Sequence, residues 1–193
     1  MIAALALAAA LAVDPDSGNN KFNATFDAPL GEQINAVSSA VACDLKLDAG
    51  IASGTCSVPL TSIMVDNEPT KTEHFQQWAT NKKVDPKQCK VEAKFAGLPA
   101  KVPGDFSGEA QFTICGKTGT EKVTGTTMQL PDGRLRIRAK VDHFNRDKYK
   151  VGPKYTEGWL SRVQQLAPVV AATGTIDISV FAKPAETKAA ARQ

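Results

Sequence analysis

Two histidines, His74 and His143, are the side chains best suited to acid–base chemistry in this sequence. A hydrolase or isomerase could pair His143 with Asp147 or Glu73, but no nucleophile is placed beside either histidine. The chain also lacks G-x-S-x-G, H-E-x-x-H and glycine-rich phosphate-binding motifs. The sequence therefore predicts no catalytic residue and no metal site, and His74 is interpreted as a surface or packing residue.

Four cysteines offer disulfide chemistry, and their spacing matches neither a C-x-x-C motif nor a zinc site. Cys43 and Cys56 each share the phase of the apolar residues around them, and a two-residue turn at 49–50 would place them directly opposite each other. We expect this pair to form a disulfide. Cys89 and Cys115 pair only by elimination, and Cys115 is out of phase with the apolar residues before it, so a bulge or free thiols are the alternatives.

The N-terminus favours an oxidising compartment for these cysteines. A run of about a dozen apolar residues is too short to span a bilayer, and it ends in Ala10-Leu11-Ala12, which matches an A-x-A cleavage site. This pattern predicts a secretory signal cleaved after Ala12 and therefore an exported protein, although a basic n-region is missing. The alternative is a short buried or terminal helix.

Composition indicates one globular domain. The chain has 193 residues, of which 42% are hydrophobic and 22% charged, and a net charge of +3. Lys and Arg do not cluster with aromatic residues, so a nucleic-acid partner is not expected. The predicted division is a signal peptide at 1–12, a barrel domain at 13–185 and a flexible tail at 186–193.

The elements that would position the side chains are mainly strands, because apolar residues alternate with polar ones in eight runs. Short Gly, Pro, Asp and Asn signals separate most of these runs, which favours antiparallel neighbours and an all-β barrel or sandwich. The runs cover residues 21–28, 41–48, 55–65, 89–95, 108–115, 121–130, 133–144 and 174–183.

Two segments have helical spacing instead. Pro69 and a capping box of Thr70 with Glu73 would begin the first helix, and Phe75, Trp78 and Ala79 would form its apolar stripe. The second helix lies at 156–170, where the recurring residues are Trp159, Val163, Leu166 and Val170, although Pro168 should end or kink it. Such helices commonly cover a barrel mouth or a sheet edge.

The run Gly133–Phe144 alternates strictly and places four basic residues on one face: Arg134, Arg136, Arg138 and Lys140. We interpret this row as a solvated face that protects a sheet edge. The alternative is peripheral contact with an anionic membrane surface.

The inward residues mix large aromatic and small side chains. That mixture suits either ordinary packing or a groove for a slender apolar ligand. From strand phase, and for Trp159 from its helix position, the residues expected to face the interior are Phe22, Phe26, Val58, Leu60, Val91, Phe95, Phe112, Ile114, Leu135, Ile137, Ala139, Val141, His143, Phe144 and Trp159.

The order of motifs resembles the YceI-like, polyisoprenoid-binding proteins with a lipocalin-like barrel. The segment "SVPLTSIMVDNEPTKTEHFQQWA" resembles the family's strand and helix start, although Lys71 and Thr72 replace the usual Arg and Asp. The segments "CKVEAKF", "GDFSGEAQFTICGKTGTEKVTGT" and "AKVDHFNRDKYKVG" resemble its later strands and turns. The resemblance covers roughly residues 20 to 183.

The resemblance implies an antiparallel eight-stranded barrel with two short helices over a mouth or an edge. It also implies a periplasmic or secreted bacterial binding protein, not an enzyme, that holds an isoprenoid such as a polyprenyl chain or a quinone tail as carrier or store. The partner would then be an apolar lipid, and no cofactor other than such a lipid is expected. The alternative is a filled barrel that acts as an envelope interaction or scaffold protein, and the oligomeric state is left open.

Overall fold

A computed structural model of the chain describes residues 9–156, 158 and 170–185. Within them lie eleven strands and one α-helix, α1, at Pro69–Thr80. The strands are β1 (Ala9–Val13), β2 (Lys21–Asp27), β3 (Gln33–Ser38), β4 (Ala42–Asp48), β5 (Ile51–Pro59), β6 (Met64–Val65), β7 (Lys90–Pro99), β8 (Gly104–Ile114), β9 (Lys117–Gln129), β10 (Leu135–Asn145) and β11 (Thr173–Pro184).

These strands form a closed antiparallel barrel with eight positions around its circumference, which confirms the predicted fold class. Each of three positions holds two short segments in line. Along β11, β2 pairs with residues 174–179 and β1 with residues 182–184. β2 also pairs with β3, and β1 with β4. The third divided position holds β5, which pairs with β4, and β6, which pairs with β3.

The divided positions give the barrel two halves. The β1 half contains β1, β4 and β5, and the α1 half contains β2, β3 and β6. In the described part of the chain β6 pairs only with β3, so the wall has a gap between β6 and β7 in the α1 half. Helix α1 lies in this half, which confirms that a helix covers an opening of the barrel. The second predicted helix lies largely outside the described residues.

Helix α1 begins differently from the prediction. Its N-cap is Glu68, Pro69 occupies the first turn, and no side chain caps the N-terminus. The predicted capping box of Thr70 with Glu73 is wrong because the helix already begins at Pro69. A proline fits the first helical position, where its missing N–H costs no hydrogen bond. The helix ends at Asn81 in the left-handed conformation. No helix in the described part of the chain is long and apolar enough to cross a membrane.

Two disulfides are present. Cys43 lies directly opposite Cys56 on β4 and β5, across the predicted two-residue turn, and the pair is bonded. Cys89 is bonded to Cys115. Cys115 was out of phase because β8 ends at Ile114 and Cys115 is a turn residue with φ of 47°. Two disulfides are typical of proteins from oxidising compartments.

Strand β1 coincides with the predicted signal segment. Its residues pair with β4 on one side and with β11 on the other, and Leu11 is only 8% exposed. Cleavage after Ala12 would remove four of its five residues and leave the facing segments of β4 and β11 without a partner. The predicted tail at 186–193 lies outside the described residues.

Candidate functional site

The barrel interior contains two apolar cavities. The small cavity, in the β1 half, has a volume of about 110 Å³. Its wall includes Leu11 of β1, Leu45 and Leu47 of β4, Phe106 of β8 and Leu135 of β10. Leucine, phenylalanine, valine, isoleucine and alanine make up most of the lining, so the small cavity suits an apolar group.

The large cavity lies in the α1 half and has a volume of about 430 Å³. Apolar side chains from β2, β3, β6, β7, β8, β10 and β11 line it. Helix α1 adds Phe75 and Trp78 from its apolar stripe. This volume is within the usual range for ligand pockets of about 300–1,000 Å³.

Aromatic side chains separate the two cavities. Phe112 lines the small cavity and Phe144 the large one, and their ring centroids are 6.2 Å apart. Phe144 also stacks on Tyr149 at 5.1 Å and meets Phe26 edge-on at 6.4 Å. Ile176 contributes to both linings. We therefore expect a ligand longer than the large cavity to pass the Phe112 ring on its way to the small cavity.

Three basic side chains join the lining of the large cavity: Lys71 and His74 of α1, and Arg146. Lys71 is ion-paired with Asp66 at 2.9 Å and with Glu68 at 3.0 Å. The hydrogen bond to Asp66, and then that to Glu68, raises the pKa of Lys71. The rest of the lining of the large cavity is apolar.

Arg146 has a structural role. Its guanidinium donates hydrogen bonds to the carbonyl oxygens of Val151 at 2.8 Å, Val170 at 2.9 Å and Ala171 at 3.2 Å. Burial lowers the pKa of Arg146. These bonds hold the chain on both sides of residues 152–169 against the end of β10.

The predicted interior residues divide between the cavities. Six line the small cavity: Phe95, Phe112, Leu135, Ile137, Ala139 and Val141. Five line the large one: Phe22, Phe26, Val91, Ile114 and Phe144. Val58 and Leu60 are buried in the core and line neither cavity. Trp159 lies outside the described residues.

The inward position predicted for His143 is wrong. The pairing of β10 with β11 shifts register between Val141 and Phe144, so the alternation breaks there. Phe144 points into the core, at 3% exposure, whereas His143 is exposed. A bulge of this kind adds a residue to one strand and reverses the faces that follow it.

The sequence pattern missed several lining residues. Leu11 was assigned to the signal segment, and Ile34 belongs to β3, which was not predicted as a strand. The run "QINAVS" does alternate, with Ile34 and Ala36 in phase with each other. Its neighbours Pro29 and Gly31 form a tight turn after β2, and together these signals indicate a hairpin.

The basic row lies on the outer face of β10, but the edge-protecting interpretation is wrong because β10 pairs with β9 and with β11. Arg134 is ion-paired with Asp14 at 3.3 Å and with Asp132 at 2.8 Å. Lys140 is paired with Asp142 at 2.6 Å. The row therefore occupies the middle of the barrel wall.

The described residues bring no catalytic group together around the histidines. Asp147 is ion-paired with Lys154 at 2.6 Å, and Glu73 accepts a hydrogen bond from Gln77 at 2.9 Å. Among these residues no group of three or more His, Cys, Asp or Glu side chains could hold a metal ion. The interior cavities are therefore the strongest candidate site.

A closed eight-position antiparallel barrel with an apolar interior belongs to the lipocalin-like architectures. Solved structures share this fold along most of their length. BcnA of Burkholderia cenocepacia matches with a TM-score of 0.65 at 16% identity, over 89% of this chain and 99% of BcnA. A polyisoprenoid-binding domain from Saccharophagus degradans, implicated in plant cell wall breakdown, matches with a TM-score of 0.61 at 12% identity, over 92% of this chain and 99% of that domain.

A YceI protein of Campylobacter jejuni also matches, with a TM-score of 0.53 at 13% identity, over 76% of this chain and 82% of that protein. No family model and no curated protein sequence matches the chain. At these identities the comparisons establish the fold. The chain has the YceI-like barrel fold, so the resemblance in the sequence is confirmed at that level.

Proposed function

We propose that this barrel binds an elongated apolar lipid of the isoprenoid type, such as a polyprenyl chain or a quinone tail, and acts as its carrier or store. The observation that carries the proposal is the large cavity, an apolar space of about 430 Å³ inside a closed barrel. The fold shared with a polyisoprenoid-binding domain supports it. The proposed site comprises the linings of both cavities, with the large cavity receiving most of the chain.

The energetics favour such a ligand. Burial of each CH₂ group gains about 0.8 kcal/mol, so one five-carbon isoprene unit gains about 4 kcal/mol before ordering costs. The linings offer few polar groups that could fix a small polar substrate, and most of the surface is aliphatic or aromatic. Affinity would therefore depend mainly on the apolar length of the ligand. We infer a binding protein and not an enzyme.

A filled barrel that serves as an interaction or scaffold protein is less well supported. A well-packed core leaves few voids larger than a water molecule. Here two apolar cavities lie within one domain, and the larger is lined by side chains from many elements. An apolar space of this size offers a bound lipid many dispersion contacts with the surrounding side chains.

The two disulfides support an exported protein, and we propose the periplasm or the extracellular space as its location. There the protein would shield an apolar lipid from water.

The test is organic extraction of the protein purified without detergent, followed by mass spectrometry of the extract. We expect an isoprenoid in near-stoichiometric amount. Ala36→Phe places a ring in the large cavity and should yield much less lipid, whereas the matched control Ala42→Phe, at an exposed position of β4, should yield as much as the wild type. Empty extracts, together with no uptake of an added prenyl quinone, would overturn the proposal.

A further inference from the structure

A polar groove of about 790 Å³ crosses the outer wall of the barrel, and it shares Phe106, Ala139, Lys140 and Ile178 with the lining of the small cavity. Strands β2, β8, β9, β10 and β11 form its floor. Four cationic side chains and two carboxylates, Asp105 and Asp177, line it. The groove therefore carries an excess of positive charge.

Side chains on three neighbouring strands form one row across this groove. Ser179 of β11 lies opposite Arg138 of β10 on one side and opposite Lys21 of β2 on the other. Neighbours in such a row are about 5 Å apart, so a hydroxyl group stands between two cations. Arg136 lies two residues before Arg138 on the same face of β10, and its guanidinium lies over the Phe181 ring at 5.4 Å.

The donors of this row and the neighbouring Arg136 lack hydrogen-bond or ion-pair partners within the described part of the chain. Oγ of Ser179 and Nε of Arg136 are shielded from solvent there without a hydrogen bond. No carboxylate among those residues lies within ion-pair distance of Lys21, Arg136 or Arg138, in contrast to Lys140, which is paired with Asp142. Shielded donors without partners cost stability, and a ligand that accepts from them would recover it.

The groove also holds one acceptor without a partner beside these donors. Oδ1 of Asn23 finds no hydrogen-bond partner among the described residues. Asn23 lies opposite Asp177, in the next row of the same face. A ligand that pairs with both the donors and the acceptors needs an oxyanion next to O–H groups. A simple anion has only the oxyanion and a neutral sugar has only the O–H groups, whereas a hydroxylated phosphate ester has both.

We propose that this outer groove binds the phosphate of a hydroxylated phosphate ester, with Ser179, Arg138, Arg136 and Lys21 as donors. Guanidinium and ammonium groups form charge-assisted hydrogen bonds with phosphate oxygens. Asn23 and Asp177 accept from the neighbouring hydroxyl groups. The same chemistry occurs in free glycerol phosphate and in the headgroup of phosphatidylglycerol, so the ester comes from solution or from a membrane surface.

The experiment measures both sources with the full chain. Glycerol 3-phosphate and inorganic phosphate are titrated by NMR, and vesicles of phosphatidylglycerol or of phosphatidylcholine alone are tested by co-sedimentation. Ser179→Ala and Arg138→Gln remove donors from the row. Lys94→Gln removes one exposed positive charge from β7, away from the groove, and is the matched control. Thermal melting checks that each variant is folded.

We expect Arg138→Gln to weaken binding on the order of tenfold and Ser179→Ala several-fold, with Lys94→Gln unchanged. If these two variants bind glycerol 3-phosphate more weakly, the ligand is a soluble ester. If they bind phosphatidylglycerol vesicles more weakly, the ligand is a lipid headgroup. Three results overturn the proposal: no binding to either source, equal loss in Lys94→Gln, or tighter binding of inorganic phosphate than of the ester. Ala36→Phe should leave this binding unchanged, so the outcome is independent of the interior ligand.

Discussion

Filling the large cavity should abolish tight lipid binding without unfolding the barrel. Ala36, on β3, is 6% exposed and lines this cavity, and it lies opposite Ala24 of β2 and Val65 of β6. In Ala36→Phe a phenyl ring would take the space of about four CH₂ groups of a ligand. At about 0.8 kcal/mol each, the loss is about 3 kcal/mol, or roughly two-hundredfold in Kd. The ring enters the volume of the large cavity, so we expect little loss of stability.

The assay is quenching of Trp78 fluorescence by a prenyl quinone, because Trp78 lines the large cavity. Trp159→Phe as the background leaves Trp78 as the sole tryptophan. Ala42→Phe is the matched control, since Ala42 is exposed on β4 and the change leaves both cavities intact. An unchanged Kd in folded Ala36→Phe would refute the placement of the ligand. If that variant fails to fold, Ala36→Leu tests the same space with a smaller side chain.

Three further outcomes are expected. Replacing Cys43 and Cys56 together by alanine should lower the free energy of unfolding by about 3 kcal/mol in urea, because the disulfide closes a 13-residue separation; no loss would contradict the chain-entropy argument. Burial, and then the hydrogen bond to Glu121, raises the pKa of Tyr149. Only the unfolded chain then ionises at this residue near pH 10, so the wild type should lose stability as the pH rises above about 10. Tyr149→Phe should lose less unfolding free energy over the same pH range, as measured by urea unfolding. An equal loss in the two proteins would contradict the raised pKa of Tyr149. Deleting residues 1–12 should lower the melting temperature and increase apolar dye binding, because β4 and β11 lose a partner strand; identical melting to the full chain would show that β1 is dispensable.

Alternation along the chain was sufficient to predict most of the barrel. The eight predicted runs fall on β2, β4, β5 with β6, β7, β8, β9, β10 and β11. Period-two patterns are reliable where one face of a strand is buried and the other solvated. The same pattern located the Cys43–Cys56 disulfide, because a two-residue turn fixes the register of a hairpin.

The missed features share a physical cause: each depends on contacts distant in sequence. The apolar run around Leu11 is compatible with a signal segment, and only its pairing with β4 and β11 makes it a strand. Likewise, the alternating sequence at 133–144 contains no local sign of the bulge after Val141. The bulge depends on how β10 pairs with β11. Strand phase therefore identified the walls of the cavities but misplaced His143.

Division of three barrel positions into paired segments explains why the interior has two cavities instead of one. β1 and β4 contribute to the small cavity only, whereas β2, β3 and β6 contribute to the large one only. The chain breaks at 14–20 and 39–41 separate the segments of the two halves, and α1 contacts β6 beside the gap in the wall.

The undivided strands cross both halves and hold them together, and Ile176 of β11 lines both cavities for that reason. Phe112 and Phe144 meet where the halves join. These two packed rings connect the lining of the small cavity with that of the large one. Phe112→Leu should join the cavities and favour longer prenyl quinones over shorter ones in the Trp78 assay. An unchanged chain-length preference would show that the ligand ends within the large cavity.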